Sequence, residues 1–195
     1  LTVKARQHVA LPNVSGSVPT AGGVILSTSG RQHTILNSDS DSTGGGHVFC
    51  GNYSAITTNG GNLTIGGGAN PASSPAQGIA VSGFTTGVTI SSAALNSGGG
   101  DISIRGTGGA LTGGVGVVIN ATTGQSSSVN SGSGARSITG TGGGNFTTAP
   151  GVLLNGSTGF LPTVSSSSGA ISLTGTATGG NNAGVQLSTP ASGAA

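Results

Sequence analysis

Three carboxylates, three imidazoles and one thiol hold most of the acid–base, metal-binding and nucleophilic capacity of this chain: Asp39, Asp41 and Asp101; His8, His33 and His47; and Cys50. Cleavage of a glycosidic bond needs two carboxyl groups flanking that bond. Asp39 and Asp41 share one turn, Asp101 lies two repeats further on, and there is no Glu. Hydrolysis of that kind is therefore not expected. Asp39-Ser40-Asp41 is a weak candidate for a metal, a hard cation such as Ca²⁺. Two carboxylates with no downstream Glu make a thin ligand set, and a solvated Asx turn is the plainer reading. No cofactor and no catalytic residue is expected.

The remaining chemistry is equally sparse. The histidines are scattered, and His47 heads a strand-like run aligned with Val117 and Val152, which reads as a corner or core histidine. Serine is abundant, but no nucleophile elbow surrounds any of it. Gly142-Gly143-Gly144 lacks the Lys and the helix of a phosphate loop. Cys50 aligns with Asn120 and Asn155 and reads as a small corner residue, with an intermolecular disulfide as the sharper alternative. Phe84, Phe146 and Phe160 fall in loops and form a candidate ligand-contact set, because aromatic rings stack on sugars. Packing a loop onto the body is their plainer role. Ice binding would need a flat, regular outward array. The outward pairs Thr64/Gly66, Ser103/Arg105, Ser137/Thr139 and Ser172/Thr174 are too irregular for it.

These residues are spaced by a repeat. In Gly99-Gly100-Asp101-Ile102-Ser103-Ile104-Arg105-Gly106, apolar and polar residues alternate between glycines, the pattern of a half-buried β-strand. The pattern recurs at Gly61-Asn62-Leu63-Thr64-Ile65, Gly134-Ala135-Arg136-Ser137-Ile138 and Gly169-Ala170-Ile171-Ser172-Leu173. The steps from 63 to 102, 102 to 136 and 136 to 171 are 39, 34 and 35 residues. Recurrence of this size marks a solenoid. Each repeat holds two further short runs, such as Gly116-Val117-Val118-Ile119 and Ser128-Val129-Asn130. The reading is an all-β, right-handed parallel β-helix with three short strands per coil, about 35 residues per coil and roughly five coils. Leu36, Leu63, Ile65, Ile102, Ile104, Ile138, Ile171 and Leu173 form its core ladder. Asn120 and Asn155 would stack at one corner.

The whole chain, 1–195, reads as one such domain. Residues 1–30 make an irregular first coil, and 188–195 a small polar tail that does not cap the end. Residues 66–86 are an insertion looping out of a longer coil, whose second strand is 88–90 rather than 79–81. Arg136 falls where its counterparts point inward. A buried unpaired Arg is costly, so the strand is expected to slip and turn Arg136 outward.

Composition sets the outer limits. Only 4% of residues are charged, with a net charge of +2 and no basic cluster, so nucleic acid is not an expected partner. No apolar run reaches the ~18 residues of a spanning helix, so membrane insertion is not expected either. No signal peptide is visible, which suggests a processed product or an excerpt. One cysteine allows no internal disulfide.

The runs Leu36-Asn37-Ser38-Asp39-Ser40-Asp41, Thr58-Asn59-Gly60-Gly61-Asn62-Leu63-Thr64-Ile65-Gly66 and Leu95-Asn96-Ser97-Gly98-Gly99-Gly100-Asp101-Ile102-Ser103-Ile104-Arg105-Gly106 are familiar together. Over 31–188 the chain resembles the repeat regions of filamentous-haemagglutinin-like bacterial exoproteins, which are secreted β-strand-repeat adhesins. That resemblance implies a right-handed parallel β-helix, export to the cell surface, and a structural or adhesive role. The expectation is a non-enzymatic extracellular rod or filament element of a bacterial surface or matrix. Its principal partner would be itself, by end-to-end stacking of copies or of neighbouring repeat segments. The alternative is an adhesin-type module that binds a glycan or host surface through corner loops.

Overall fold

A computed structural model describes residues 1–11, 25–27, 29–79, 85–110, 114–122, 124–144, 149–179 and 183–189. Alternation of apolar and polar residues produces short strands, and glycine, serine and asparagine turn the chain between them. The first coil contains β1 (Thr2–Lys4), β2 (Val9–Leu11) and β3 (Ile25–Ser27). The second has β4 (Thr34–Ser38), β5 (Val48–Cys50) and β6 (Ala55–Thr57). In the third come β7 (Leu63–Gly67), β8 (Ala76–Gln77), β9 (Val88–Ser91) and β10 (Ala94–Asn96). The fourth comprises β11 (Ile102–Thr107), β12 (Val117–Asn120) and β13 (Ser128–Asn130). The fifth is built of β14 (Arg136–Thr141), β15 (Val152–Asn155) and β16 (Thr163–Ser165), and the last of β17 (Ile171–Thr176) and β18 (Val185–Ser188). None of the described residues is helical.

Every strand pairs in parallel with its counterpart one coil away. Three sheets result, running β1-β4-β7-β11-β14-β17, β2-β5-β9-β12-β15-β18 and β3-β6-β10-β13-β16, with β8 added beside β11. This is a three-strand-per-coil parallel β-helix. Residues 1–30 thus contribute strands that pair in register with the second coil. Val88–Ser91 is the second strand of the longer coil, as expected. Within 66–86 the chain leaves the sheet after Gly67 and returns at Ala76–Gln77, opposite Gly106 and Thr107.

The register stacks side chains into columns along the axis. Val3, Leu36, Ile65, Ile104, Ile138 and Leu173 form one. Val9, Val48, Val88, Val117, Val152 and Val185 form another, and Leu26, Ile56, Leu95, Val129 and Val164 a third. The middle coils bury their members completely.

Two expectations fail here. Arg136 does not slip outward. It pairs with Ile102 on one side and Ile171 on the other, and is 1% exposed. A slip would break six consecutive pairings on each side and turn Ile138 out of the core. Keeping the ladder outweighs the buried guanidinium. Cys50 is not a corner residue either. It pairs with Ile90, is fully buried, and belongs to the column of Leu11, Ile119, Leu154 and Leu187. His47 correspondingly lies one position before the valine column. Gly46 is taken up by an antiparallel bridge to Gln77, so β5 begins one residue later than the glycine suggests.

Candidate functional site

Polar side chains of the corners serve mainly to tie one coil to the next. After the third sheet, Asn62 N–H donates to His33 Nδ1 at 3.0 Å, Asp101 N–H to Asn62 Oδ1 at 3.1 Å, and Ala135 N–H to Asp101 Oδ1 at 2.8 Å. Each side chain caps a backbone donor one coil further on. Asp101 and His33 are members of this relay.

Beside it runs a hydroxyl ladder. Thr58, Ser97 and Ser131 donate to the carbonyls of Gly61, Gly100 and Gly134, three residues ahead in each case. Ser166 donates to Gly132 O at 2.9 Å and accepts from Gly169 N–H at 2.7 Å. These hydroxyls satisfy backbone groups that the tight turn leaves unpaired by strands. The signal is present in sequence as Ser or Thr three residues before each corner glycine.

The glycines have their own reason. A Cβ on Gly61, Gly100, Gly134 or Gly169 would overlap the backbone carbonyl carbon and oxygen of Gln32, Gly61, Gly100 or Gly134 respectively, one coil below. Here the corner backbones stack too closely for any side chain.

A polar concavity lies at the corner of the first two coils. It is a cleft of about 570 Å³ lined by Arg6, Gln7, His8, Asp41 and Thr43. Asp39, in the left-handed region at φ 49°, accepts through Oδ1 from the N–H groups of Thr43 at 3.1 Å and Gly44 at 3.2 Å. Asp41 accepts from Arg6 Nε at 2.7 Å and from Thr43 Oγ1 at 2.9 Å. The hydrogen bond from Arg6, then that from Thr43, hold the Asp41 carboxyl below the usual carboxylate range. Both expected candidate ligands are therefore engaged with the turn and with Arg6. No group of three His, Cys, Asp or Glu side chains converges among the described residues.

Behind the cleft the rings of His8 and His47 meet. Their Nδ1 atoms are 2.9 Å apart, and His47 N–H donates to His8 Nδ1 at 3.2 Å. His8 Nδ1 accepts the His47 backbone N–H, which makes the His8 imidazole neutral and puts the proton between the two rings on His47 Nδ1. Burial, then the neighbouring His8, pushes His47 down to about 4, and burial lowers His8 as well. Sequence reasoning missed this pair because the histidines are 39 residues apart and belong to adjacent coils.

The other expected positions are dispersed. Phe160 is half-buried on a turn closed by mutual 2.8 Å hydrogen bonds with Ser157, while Phe84 and Phe146 lie outside the described residues. Asn120 and Asn155 are in register, but Asn120 Oδ1 is buried without a hydrogen-bond partner. Burial pushes the Cys50 thiol up to about 12, which makes it a poor nucleophile and disfavours disulfide exchange. The core-ladder residues share the inward face, though Ile171 and Leu173 lie on the last coil and Ile171 is 48% exposed. That end is a second candidate surface. Leu187 is 73% and Leu161 54% exposed, and a shallow hollow of about 140 Å³ between them is lined by Leu154, Leu161, Pro162, Leu187, Ser188 and Thr189.

No family model, no curated protein and no solved structure matches this chain.

Proposed function

We propose that this chain is a non-enzymatic structural protein, a β-solenoid rod element of an extracellular bacterial surface or matrix, joined end to end with coils of its own kind. The observation that carries this reading is the bare last coil. Ile171, Val185 and Leu187 occupy columns that are sealed in the middle of the molecule, yet they are 48%, 36% and 73% exposed. Among the described residues no strand pairs with the outer edges of β17 and β18, which offer hydrogen-bonding rows beside them and are templates for another strand. The surface that fits such an end is another coil, with apolar residues at alternate positions and glycine at the corner. The commitment of Asp39, Asp41, Asp101 and His33 to corner hydrogen bonds favours a structural role over a chemical one. The exoprotein-like repeats favour the surface setting.

Sedimentation velocity with negative-stain imaging of the purified chain tests the proposal. Six rungs span only roughly 24 Å at ~4.8 Å per step. Particles at least twice that length along the axis are expected. A monomer that persists at high concentration would overturn the reading.

A further inference from the structure

The outward side of the first sheet carries hydroxyls on a grid. Along β14, Ser137, Thr139 and Thr141 alternate with the buried Arg136, Ile138 and Gly140 and face outward. Register sets Ser172, Thr174 and Thr176 of β17 beside them, one for one. Ser103 and Thr107 of β11 extend the two flanking columns by a further coil. Rows repeat every ~4.8 Å along the axis, and alternate residues of one strand every ~6.6 Å. The outward pairs that read as too irregular for ice end at Thr139 and Thr174, because the next glycine looks like the end of each strand. The strands run on through Gly140 and Gly175, and this adds the third column.

Corner hydroxyls are committed within the protein. Ser38, Thr58, Ser97, Ser127 and Ser131 all donate to backbone carbonyls. The grid hydroxyls differ: among the described residues none of them hydrogen-bonds a protein group, so their donors and lone pairs face solvent. Arg105, at the middle position of β11, is drawn off the grid. Its Nε donates to Ala72 O at 2.8 Å, toward the third coil. The outward rows of β14 and β17 thus hold hydroxyls alone, with no charge and no aromatic ring. Such a face complements an uncharged partner and has nothing to stack on a sugar. An ordered lattice of O–H···O bonds fits it.

We propose that the outward face of β11, β14 and β17 binds ice. Each hydroxyl donates one hydrogen bond and accepts two, within the bonding pattern of a lattice water. One hydroxyl does not distinguish ice from liquid water. A grid that holds several waters at crystal spacing does, and oxygen rows on the prism face of hexagonal ice repeat at intervals close to both spacings of this one. β-Branching restricts the threonine rotamers and the parallel ladder fixes the backbone beneath them, so little freedom is lost on contact. Ice binding on this lateral face does not depend on how the rods join.

Microscopy of a single ice crystal in a solution of the 195-residue chain, held just below the melting point, tests this. Faceted crystals and a measurable gap between melting and growth temperatures are expected, where buffer alone gives round discs and no gap. Thr174→Lys, at an exposed grid position, should reduce the gap at least fivefold at equal concentration while leaving the β-type circular dichroism unchanged. Ser172→Tyr, also exposed, blocks the same face and should act alike. Thr163→Lys, on the third sheet, should leave the gap as in the native chain. Round discs with the native chain, a full gap in both grid variants, or an equal loss in Thr163→Lys would overturn the proposal. Retention on crystalline cellulose without any effect on ice would overturn it too, and would assign the grid to a sugar.

Discussion

Replacing Arg136 with methionine should stabilise this protein. The guanidinium is 1% exposed, in a column whose other described members include Leu63, Ile102 and Ile171. Its Nη1 reaches Val129 O at a long 3.4 Å, and Nε and Nη2 are buried with no hydrogen-bond partner. Burial pushes the group below its ordinary basicity, and the salt bridge found among the described residues is between Arg6 and Asp41, in the first two coils. An unsatisfied buried donor costs about 1–3 kcal/mol, more when charged. Methionine keeps an unbranched stem in the same slot and removes all three donor nitrogens. Exchange of a buried charge for an apolar residue of similar shape stabilises other proteins by about 1–4 kcal/mol. A gain of about 2 kcal/mol is expected here. Equilibrium urea unfolding followed by circular dichroism reads it as a higher midpoint at unchanged m. Arg136→Ala, which also empties the stem's volume, should gain less or nothing. Loss of 2 kcal/mol or more in Arg136→Met would refute the reasoning, because it would mean that the guanidinium holds a partner worth more than its desolvation.

Two further outcomes follow from the corners. His8 and His47 are held neutral, so below pH 6.5 the unfolded chain takes up protons that the folded chain does not; stability should be level above that pH and fall as pH drops from 6.5 toward 4. With partial solvent access the loss is about 1–2 kcal/mol, it precedes any titration of Asp41, and chemical denaturation at pH 7 and pH 4.5 should show it in the native chain and lack most of it in His47→Gln. Gly100→Ala drives a Cβ into the Gly61 carbonyl and should cost about 3 kcal/mol, while Gly44→Ala, which meets open space, should change stability by less than about 0.5 kcal/mol; equal effects in thermal melts would remove the close-stacking argument.

Much of the architecture was legible because each coil repeats a local pattern. Alternation of Ile102 and Ile104 with Ser103 and Arg105 assigns inside and outside, and the recurrence of that run assigns the partner strand. Arg136 was misread because a single side chain was weighed against desolvation alone. The backbone ladder binds six residues at once, and its loss is the larger cost. Cys50 and His47 were displaced by one position because Gly46 looks like the corner glycine Gly116. Its bridge to Gln77, which only the return of residues 76–77 to the sheet creates, lies outside any local pattern. The cleft of Arg6, His8 and Asp41 was illegible for a related reason. It joins the least regular coil to its neighbour, where no repeat signals the register.

The corner relay from His33 through Asn62 and Asp101 to Ala135 has a consequence for how the gene can change. Every link spans one coil and no more, so each coil recognises only the coil before it. Removing one complete period, such as residues 103 to 136, would splice Ile102 directly to Ser137 and bring the valine, leucine and isoleucine columns back into line with a shorter rod. Duplication would lengthen it by the same unit. Recombination between repeats is then a ruler: it alters reach in steps of ~4.8 Å without redesigning a single contact in the interior.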